Sequence, residues 1–202
     1  MKKAHKNIAL TILAAGESSR MGQIKQLLPW GNTTLLGNAI EQAISSQVNE
    51  IFVVLGANAK QIHAQHEQYD VHWVYNNAYE SGMGTSVASA INALKSSTVA
   101  YDGILIMLCD QPYIDSTYLD HLIQTFNRNE NLIVATSYTS KNGVPAIFTK
   151  EYFQELSGLR ADIGAKDLIA RNSKHTLAIE PKGKQEDLDT YKAYINAANN
   201  LK

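Results

Sequence analysis

Ile8-Ala9-Leu10-Thr11-Ile12-Leu13-Ala14-Ala15-Gly16-Glu17-Ser18-Ser19-Arg20-Met21-Gly22-Gln23-Ile24-Lys25 is the stretch that decides the fold. Residues 8–13 form a short apolar run of β type. A loop of small and polar residues follows it and carries two cations, Arg20 and Lys25. Small residues let a backbone approach a ligand closely. Backbone N–H groups in such a turn cradle phosphate oxygens. Arg20 offers phosphate a planar fork of donors, and Lys25 adds a mobile point charge. A triphosphate needs all three elements, because it must be held straight while pyrophosphate leaves. No Gly-Lys-Ser/Thr follows, so this is not a Walker loop. It is not the dinucleotide fingerprint either, since Gly16 and Gly22 lie too far apart and a basic pair occupies the region.

Outward from this loop, apolar runs alternate with segments of helical length. Residues 34–46 place Leu35, Leu36, Ala39, Ile40, Ala43 and Ile44 at helical spacing. Residues 51–55 are a continuous apolar run rich in β-branched residues, 59–67 a weaker helix, 72–75 a strand and 85–95 a helix. Residues 103–108 are the most apolar run, and 116–127 read as the helix after it. Residues 132–136 and 146–149 are expected as strands, and 166–172 and 188–198 as helices. Continuous apolar strands separated by helices imply a mostly parallel sheet covered on both faces. Right-handed crossovers then stack the layers α/β/α. No repeat, low-complexity tract or linker divides residues 1–202, so one α/β domain is expected. In such sheets ligands sit beyond the carboxyl ends of the strands, where the first loop falls.

Size and composition agree with that reading. A chain of 202 residues buries roughly 70% of the surface of its unfolded form and needs no staples. Apolar residues are 45% and charged residues 18%, a globular balance. The formal net charge of −1 provides no global field toward nucleic acid or an anionic membrane, so any anion site is built locally. The single cysteine, Cys109, supports no internal disulfide or thiolate cluster and suits a reducing compartment. Lysines at Lys2, Lys3 and Lys6 before an apolar run mimic a secretory signal, but cleavage near Ala15 would destroy the loop. There is no apolar stretch of about 18 residues, so no spanning helix is expected and the expected setting is the cytoplasm. Six histidines (His5, His63, His66, His72, His121 and His175) show no metal-ligand spacing and read as surface or helper residues.

Three pieces of the first loop occur together and in order: Leu13-Ala14-Ala15-Gly16, Arg20-Met21-Gly22 and Lys25-Gln26-Leu27-Leu28-Pro29. On these the sequence resembles the MobA-like nucleotidyltransferase family, most closely its molybdenum cofactor cytidylyltransferase branch. The resemblance implies a three-layer, Rossmann-like fold of the nucleotide-diphospho-sugar transferase type. It implies that Leu13, Ala14, Ala15, Gly16, Arg20 and Lys25 lie against the nucleotide. Guanylyltransferase relatives have glycine where this chain has Ala15, which points to CTP.

The resemblance continues in Ser81-Gly82-Met83-Gly84-Thr85-Ser86, which would open a helix and bring Gly82, Met83, Gly84 and Ser86 to the base and ribose. It continues in Cys109-Asp110-Gln111-Pro112, where the aspartate would bind Mg²⁺, a hard cation that wants carboxylate oxygen. Gln185-Glu186-Asp187-Leu188-Asp189-Thr190 would supply Asp187 as the second metal ligand, with Asp189 as its understudy, although Tyr191 stands where a proline is usual. Gln111, Pro112, Gly143, Pro145 and Lys166, or Arg160, would face the acceptor; Ala161 replaces a usual glycine there. Lys25, Arg20 and Asp110 are then the catalytic candidates, and Cys109 a packed small residue. The implied reaction moves CMP from CTP to molybdenum-loaded molybdopterin and releases pyrophosphate, with the product passed to a maturation chaperone. Three alternatives stay open: another phosphorylated acceptor such as a sugar phosphate or methylerythritol phosphate, a guanylyltransferase, and a non-catalytic nucleotide carrier.

Overall fold

A computed structural model describes residues 6–129, 133–184 and 186–200. Lys2, Lys3, His5, Gln185 and the first residue of the expected strand 132–136 lie outside the described residues.

The chain opens with β1 (Ile8–Ala14), buried at all positions. After the first loop, β2 (Pro29–Trp30) and β3 (Thr33–Thr34) form a short hairpin. Then α1 (Leu35–Ile44), β4 (Glu50–Leu55), α2 (Ala59–Ala64), β5 (His72–Tyr75), α3 (Met83–Ser96) and β6 (Gly103–Leu108) alternate strand with helix. The second half holds α4 (Ser116–Arg128), β7 (Ile133–Tyr138), β8 (Lys141–Thr149), α5 (Phe153–Ser157), α6 (Ala165–Arg171), β9 (Thr176–Ile179) and α7 (Tyr191–Asn199).

One sheet runs in the order β5-β4-β1-β6-β8-β7-β9. The strands β5, β4, β1 and β6 are mutually parallel; β8 runs antiparallel to both its neighbours, and β9 is parallel to β7. Side chains alternate across β1. Ile8, Leu10 and Ile12 pack with α1 and α4, whereas Ala9 and Leu13 pack with α3 and α6. Every strand buried on both faces must be apolar throughout, which is why these runs lack a polar period. Each large aliphatic side chain so buried contributes roughly 1.5–3 kcal/mol. The layers are therefore α/β/α, as the alternation of runs predicts.

The chain leaves β1 toward β4 and β5 on one side and returns to β6 on the other. That reversal opens a crevice above the carboxyl ends of β1 and β6. The short hairpin beside it is held by a buried imidazole. His66, read from sequence as a surface or helper residue, is 1% exposed. Its Nδ1 donates to the Ile62 carbonyl (2.8 Å). In the neutral ring Nε2 then accepts from the Thr34 hydroxyl (2.7 Å). Thr34 itself caps α1 by accepting from the Gly37 N–H (2.9 Å). Burial lowers the His66 pKa from its ordinary value, against the pull of the Ile62 carbonyl. A base whose folded pKa is depressed binds its proton more tightly when unfolded, so stability is lost as pH falls below about 6.5. The melting midpoint is expected to drop between pH 7 and pH 5. His66→Gln should lower the neutral-pH midpoint and flatten that slope; an unchanged slope contradicts the assignment.

Among the described residues no helix is long and apolar enough to cross a membrane.

Candidate active site

The crevice holds a cleft of about 830 Å³. Leu13, Ala14, Ala15, Gly16, Arg20 and Lys25 line one wall. The loop stays close to the sheet because Met21 is buried in a small cluster with Leu28, Trp30, Leu35, Leu188 and Tyr194. Leu188 explains how the C-terminal segment arrives there. It is fully buried, and its N–H donates to the Asp110 carbonyl (2.9 Å). Side chains alternate in an extended segment, so Asp187 and Asp189, on either side of Leu188, face the cleft together. The last helix starts at Tyr191, three residues later than its expected start at 188, with the Thr190 hydroxyl accepting from the Ala193 N–H (3.2 Å) as its cap. A threonine cap makes the missing proline unnecessary.

At the floor, the Lys25 ammonium donates to Asp110 Oδ2 at 2.6 Å, and both side chains are mostly buried. Lys25 also lies 3.6 Å from Asp189, which Arg20 approaches at 3.5 Å from solvent. Burial alone would lower the Lys25 pKa; Asp110, by charge and hydrogen bond, and Asp189 outweigh it, and the net direction is up. Lys25 is thus a standing positive charge in the cleft. Asp187 Oδ1 accepts from Gln111 Nε2 at 2.7 Å. Burial raises the Asp187 pKa; the Gln111 bond opposes this, and the charges of Asp110 and Asp189 add to it. Asp110 Oδ1 is buried with no hydrogen-bond partner. One orphaned carboxylate oxygen and a second carboxylate crowded by negative charge fit a divalent cation. Among the described residues no cluster of three or more His, Cys, Asp or Glu side chains could enclose a metal ion. A two-carboxylate set suits a cation that keeps waters and borrows substrate phosphates. Cys109 is buried and its thiol is pushed up to about 12 by burial and by Asp110, so it is no nucleophile at neutral pH.

The second wall is the start of α3. Gly82, Met83 and Ser86 line the cleft. Gly82 adopts φ +102°, and a Cβ there would sit 2.4 Å from the Ala161 carbonyl carbon. Only glycine satisfies both demands. Asn76, buried at the end of β5, accepts from the Ala78 N–H and donates to the Thr85 and Ser86 hydroxyls. Ser86 Oγ is then an acceptor toward Asn76, and its own proton is left for the cleft.

Across the floor, Gln111, Gly143 and Lys166 line the far lobe. Four residues expected to touch ligand do not line the cleft, among them Arg160, whose guanidinium donates instead to the Ser157 and Leu159 carbonyls (3.1 and 2.7 Å). Gly84 is buried under the 160–163 turn, where a Cβ would sit 2.5 Å from the Ile163 carbonyl oxygen, so glycine serves packing there. Pro112 is buried with its carbonyl accepting from Asn38 (3.1 Å). Pro145 is buried with its carbonyl accepting from Thr136 (2.7 Å). Sequence reasoning missed Tyr79, Tyr138, Lys141, Asn142 and Asp162, all of which line the cleft. Tyr138 accepts from Gln111 Nε2 (2.8 Å) and donates to the Val144 carbonyl, which fixes the Gln111 amide that holds Asp187. Burial, then Asp187, raises the Tyr138 pKa, so its hydroxyl stays protonated. The outward-facing polar residues at the β7–β8 turn were the available signal for this lobe.

The family model for the MobA-like NTP transferase domain matches residues 10–176. The chain belongs to this nucleotidyltransferase family. It is 29% identical over 194 residues to the purine catabolism protein PucB of Bacillus subtilis (strain 168), spanning 90% of this chain and 91% of that one. It is 36% identical over 86 residues to the molybdenum cofactor cytidylyltransferase of Escherichia coli (strain K12), spanning 42% of this chain and 44% of that one. Among solved structures, Rv0371c of Mycobacterium tuberculosis H37Rv superposes with a TM-score of 0.80 at 28% identity, over 97% of this chain and 100% of that one. Rv0371c has also been solved in complex with manganese.

Proposed function

We propose that this chain is an enzyme that transfers a nucleotidyl group from a nucleoside triphosphate to a phosphorylated small molecule and releases pyrophosphate. The donor is CTP, the acceptor molybdenum-loaded molybdopterin, the metal Mg²⁺ and the setting cytoplasmic. The observation that carries this is a single cleft joining three parts. A donor-rich loop stands on one side, the Lys25–Asp110–Asp187 cluster on the floor, and a lobe with Lys141, Asn142 and Lys166 on the other.

Asp110 and Asp187 would hold Mg²⁺, which when bound supplies Lewis-acid charge neutralisation to the phosphates. Lys25 offsets charge that gathers on the departing pyrophosphate, and Arg20, mostly exposed, folds over it from solvent. Gln111 and Tyr138 orient Asp187. Lys166 and Lys141 bring the acceptor's phosphate to the α-phosphorus, and a phosphate oxygen attacks there directly. No protein nucleophile is needed, so the catalytic work is positioning and electrostatics.

Ala15 supports CTP. Ala15, 5% exposed, lines the cleft, and its methyl takes room that a purine would need. The test is pyrophosphate release with Mg²⁺ and molybdenum-loaded molybdopterin, CTP against GTP, for the wild type and Ala15→Gly. The wild type is expected to use CTP, and Ala15→Gly to move the kcat/KM ratio toward GTP. Wild-type preference for GTP overturns the base assignment. Release only with a sugar phosphate or methylerythritol phosphate overturns the acceptor.

A further inference from the structure

Gln26 sits inside the most specific motif of the chain, yet the transfer chemistry gives it no task. It is 2% exposed, behind the first loop. Its Nε2 donates to the Ala14 carbonyl (2.7 Å) and to the Gly16 carbonyl (3.0 Å). Two carbonyls fix the amide's orientation, so Oε1 must accept, and the Ser18 hydroxyl donates to it (3.2 Å). Ser18 Oγ accepts in turn from the Lys25 N–H (3.1 Å). The loop and the cation that ends it are therefore tied to one buried amide.

The accounting of backbone groups shows what this does. Ala14 and Gly16 spend their carbonyls on Gln26. Ala15 spends its own on the Ala57 N–H (3.1 Å), and Ser18 on the Met21 N–H (2.9 Å). Among the described residues nothing accepts from the N–H groups of Gly16, Glu17 or Ser18. Gly16 and Glu17 are exposed and Ser18 is half-buried at the cleft wall, so their N–H groups are open to an incoming ligand. The carbonyls of Ala14, Ala15, Gly16 and Ser18 are tied back, and the N–H groups of Gly16, Glu17 and Ser18 are left over. Ser18 holds φ +59°, the left-handed turn that brings successive N–H groups to one concave side. Strain of that kind persists only where the surroundings enforce it, and the Ser18 hydroxyl bridge is the enforcement.

We infer that Gln26 is the positioning residue of the phosphate cradle: it pulls the Ala14 and Gly16 carbonyls away from the cleft, so that an anion meets the loop's N–H groups. The inference rests on reading this loop as the triphosphate site. It does not depend on the base, the acceptor or turnover. Deleting the amide would let the Ala14 and Gly16 carbonyls turn toward the phosphates, where they repel.

The test uses inorganic tripolyphosphate, which carries no base. Its Kd is measured by calorimetry for the wild type and for Gln26→Met, which fills the same space without polar atoms. Gln26→Met is expected to bind tripolyphosphate at least tenfold more weakly, and to lower CTP affinity relative to CMP affinity. A merely structural role would reduce the number of competent sites or the melting midpoint while leaving Kd and that ratio unchanged, and this result overturns the inference. Should Gln26→Met not fold, Ser18→Gly takes its place with the same two outcomes, since glycine adopts this φ freely and only the hydroxyl bridge is lost. Wild-type protein that binds CTP but not tripolyphosphate also overturns it. Protein that binds tripolyphosphate through Gln26 yet transfers no nucleotide contradicts the proposed reaction alone.

Discussion

Lys25→Met is expected to lower kcat by about a hundred- to a thousandfold, the cost of removing one preorganised donor from a developing charge. The physical reason is the position of the ammonium. It lies 2.6 Å from Asp110, is mostly buried, and keeps its proton because Asp110 and Asp189 outweigh burial. A methionine fills the space and supplies no charge. Removing it also leaves Asp110 buried without its counter-ion, so a moderate fall in the melting midpoint accompanies the loss. The double variant Lys25→Met/Asp110→Asn separates the two effects. Neither charge is then stranded, and its midpoint should recover above that of Lys25→Met while activity stays low. Steady-state kinetics and thermal melts of the three proteins decide the matter. Near-normal kcat in folded Lys25→Met would remove Lys25 from the mechanism.

Asp187→Asn is the second large effect, and here activity and stability move apart. The variant keeps its shape and loses a hard ligand, so manganese affinity, read by electron paramagnetic resonance of the protein without nucleotide, should fall tenfold or more, and turnover with it. Stability should not fall. The folded pKa of Asp187 is raised by burial and by Asp110 and Asp189. An acid with a raised folded pKa holds its proton more tightly folded than unfolded. Its ionised form therefore costs stability above the folded pKa, and the cost vanishes below the unfolded one. At pH 7 without metal, Asp187→Asn is expected to melt at the wild-type temperature or above it. Functional sites commonly trade stability for chemistry in this way. Unchanged manganese affinity would contradict the ligand role.

The parallel half of the fold was legible because its central strands are buried on both faces. Residues 51–55 and 103–108 carry no competing polar period, and these and the part-exposed edge run 72–75 each correspond to a strand within one residue. The second half was harder for physical reasons. Nothing in the residues 146–149 says that the strand runs antiparallel or that it begins at Lys141. Polar Lys141 and Asn142 open the strand beside the cleft, and from sequence such a polar start reads as a loop. The hairpin of two-residue strands, the five-residue α5 and the half-exposed edge strand β9 are too short for periodicity to register. In the site, residues set by local chain geometry were readable: the loop after β1 and Asp110 after β6. Tyr138 and Asp162 come to the cleft only through the packing of distant segments, and no local pattern marks them. Gly84, Pro112 and Pro145 show the reverse error, since residues beside a site in sequence can serve only its framework. His66 was misread because a histidine just past the end of a short helix looks like any exposed one until its two partners are seen.

The central claim is transfer of a nucleotidyl group with loss of pyrophosphate, and phosphorus NMR of the running reaction tests it most directly. Purified protein is mixed with Mg²⁺, CTP and molybdenum-loaded molybdopterin. The account predicts that the triphosphate signals decline while inorganic pyrophosphate and a new dinucleotide diphosphate rise in equal amounts, and that Lys25→Met shows neither. Formation of inorganic phosphate without pyrophosphate, or a spectrum that does not change although nucleotide is bound, would contradict it.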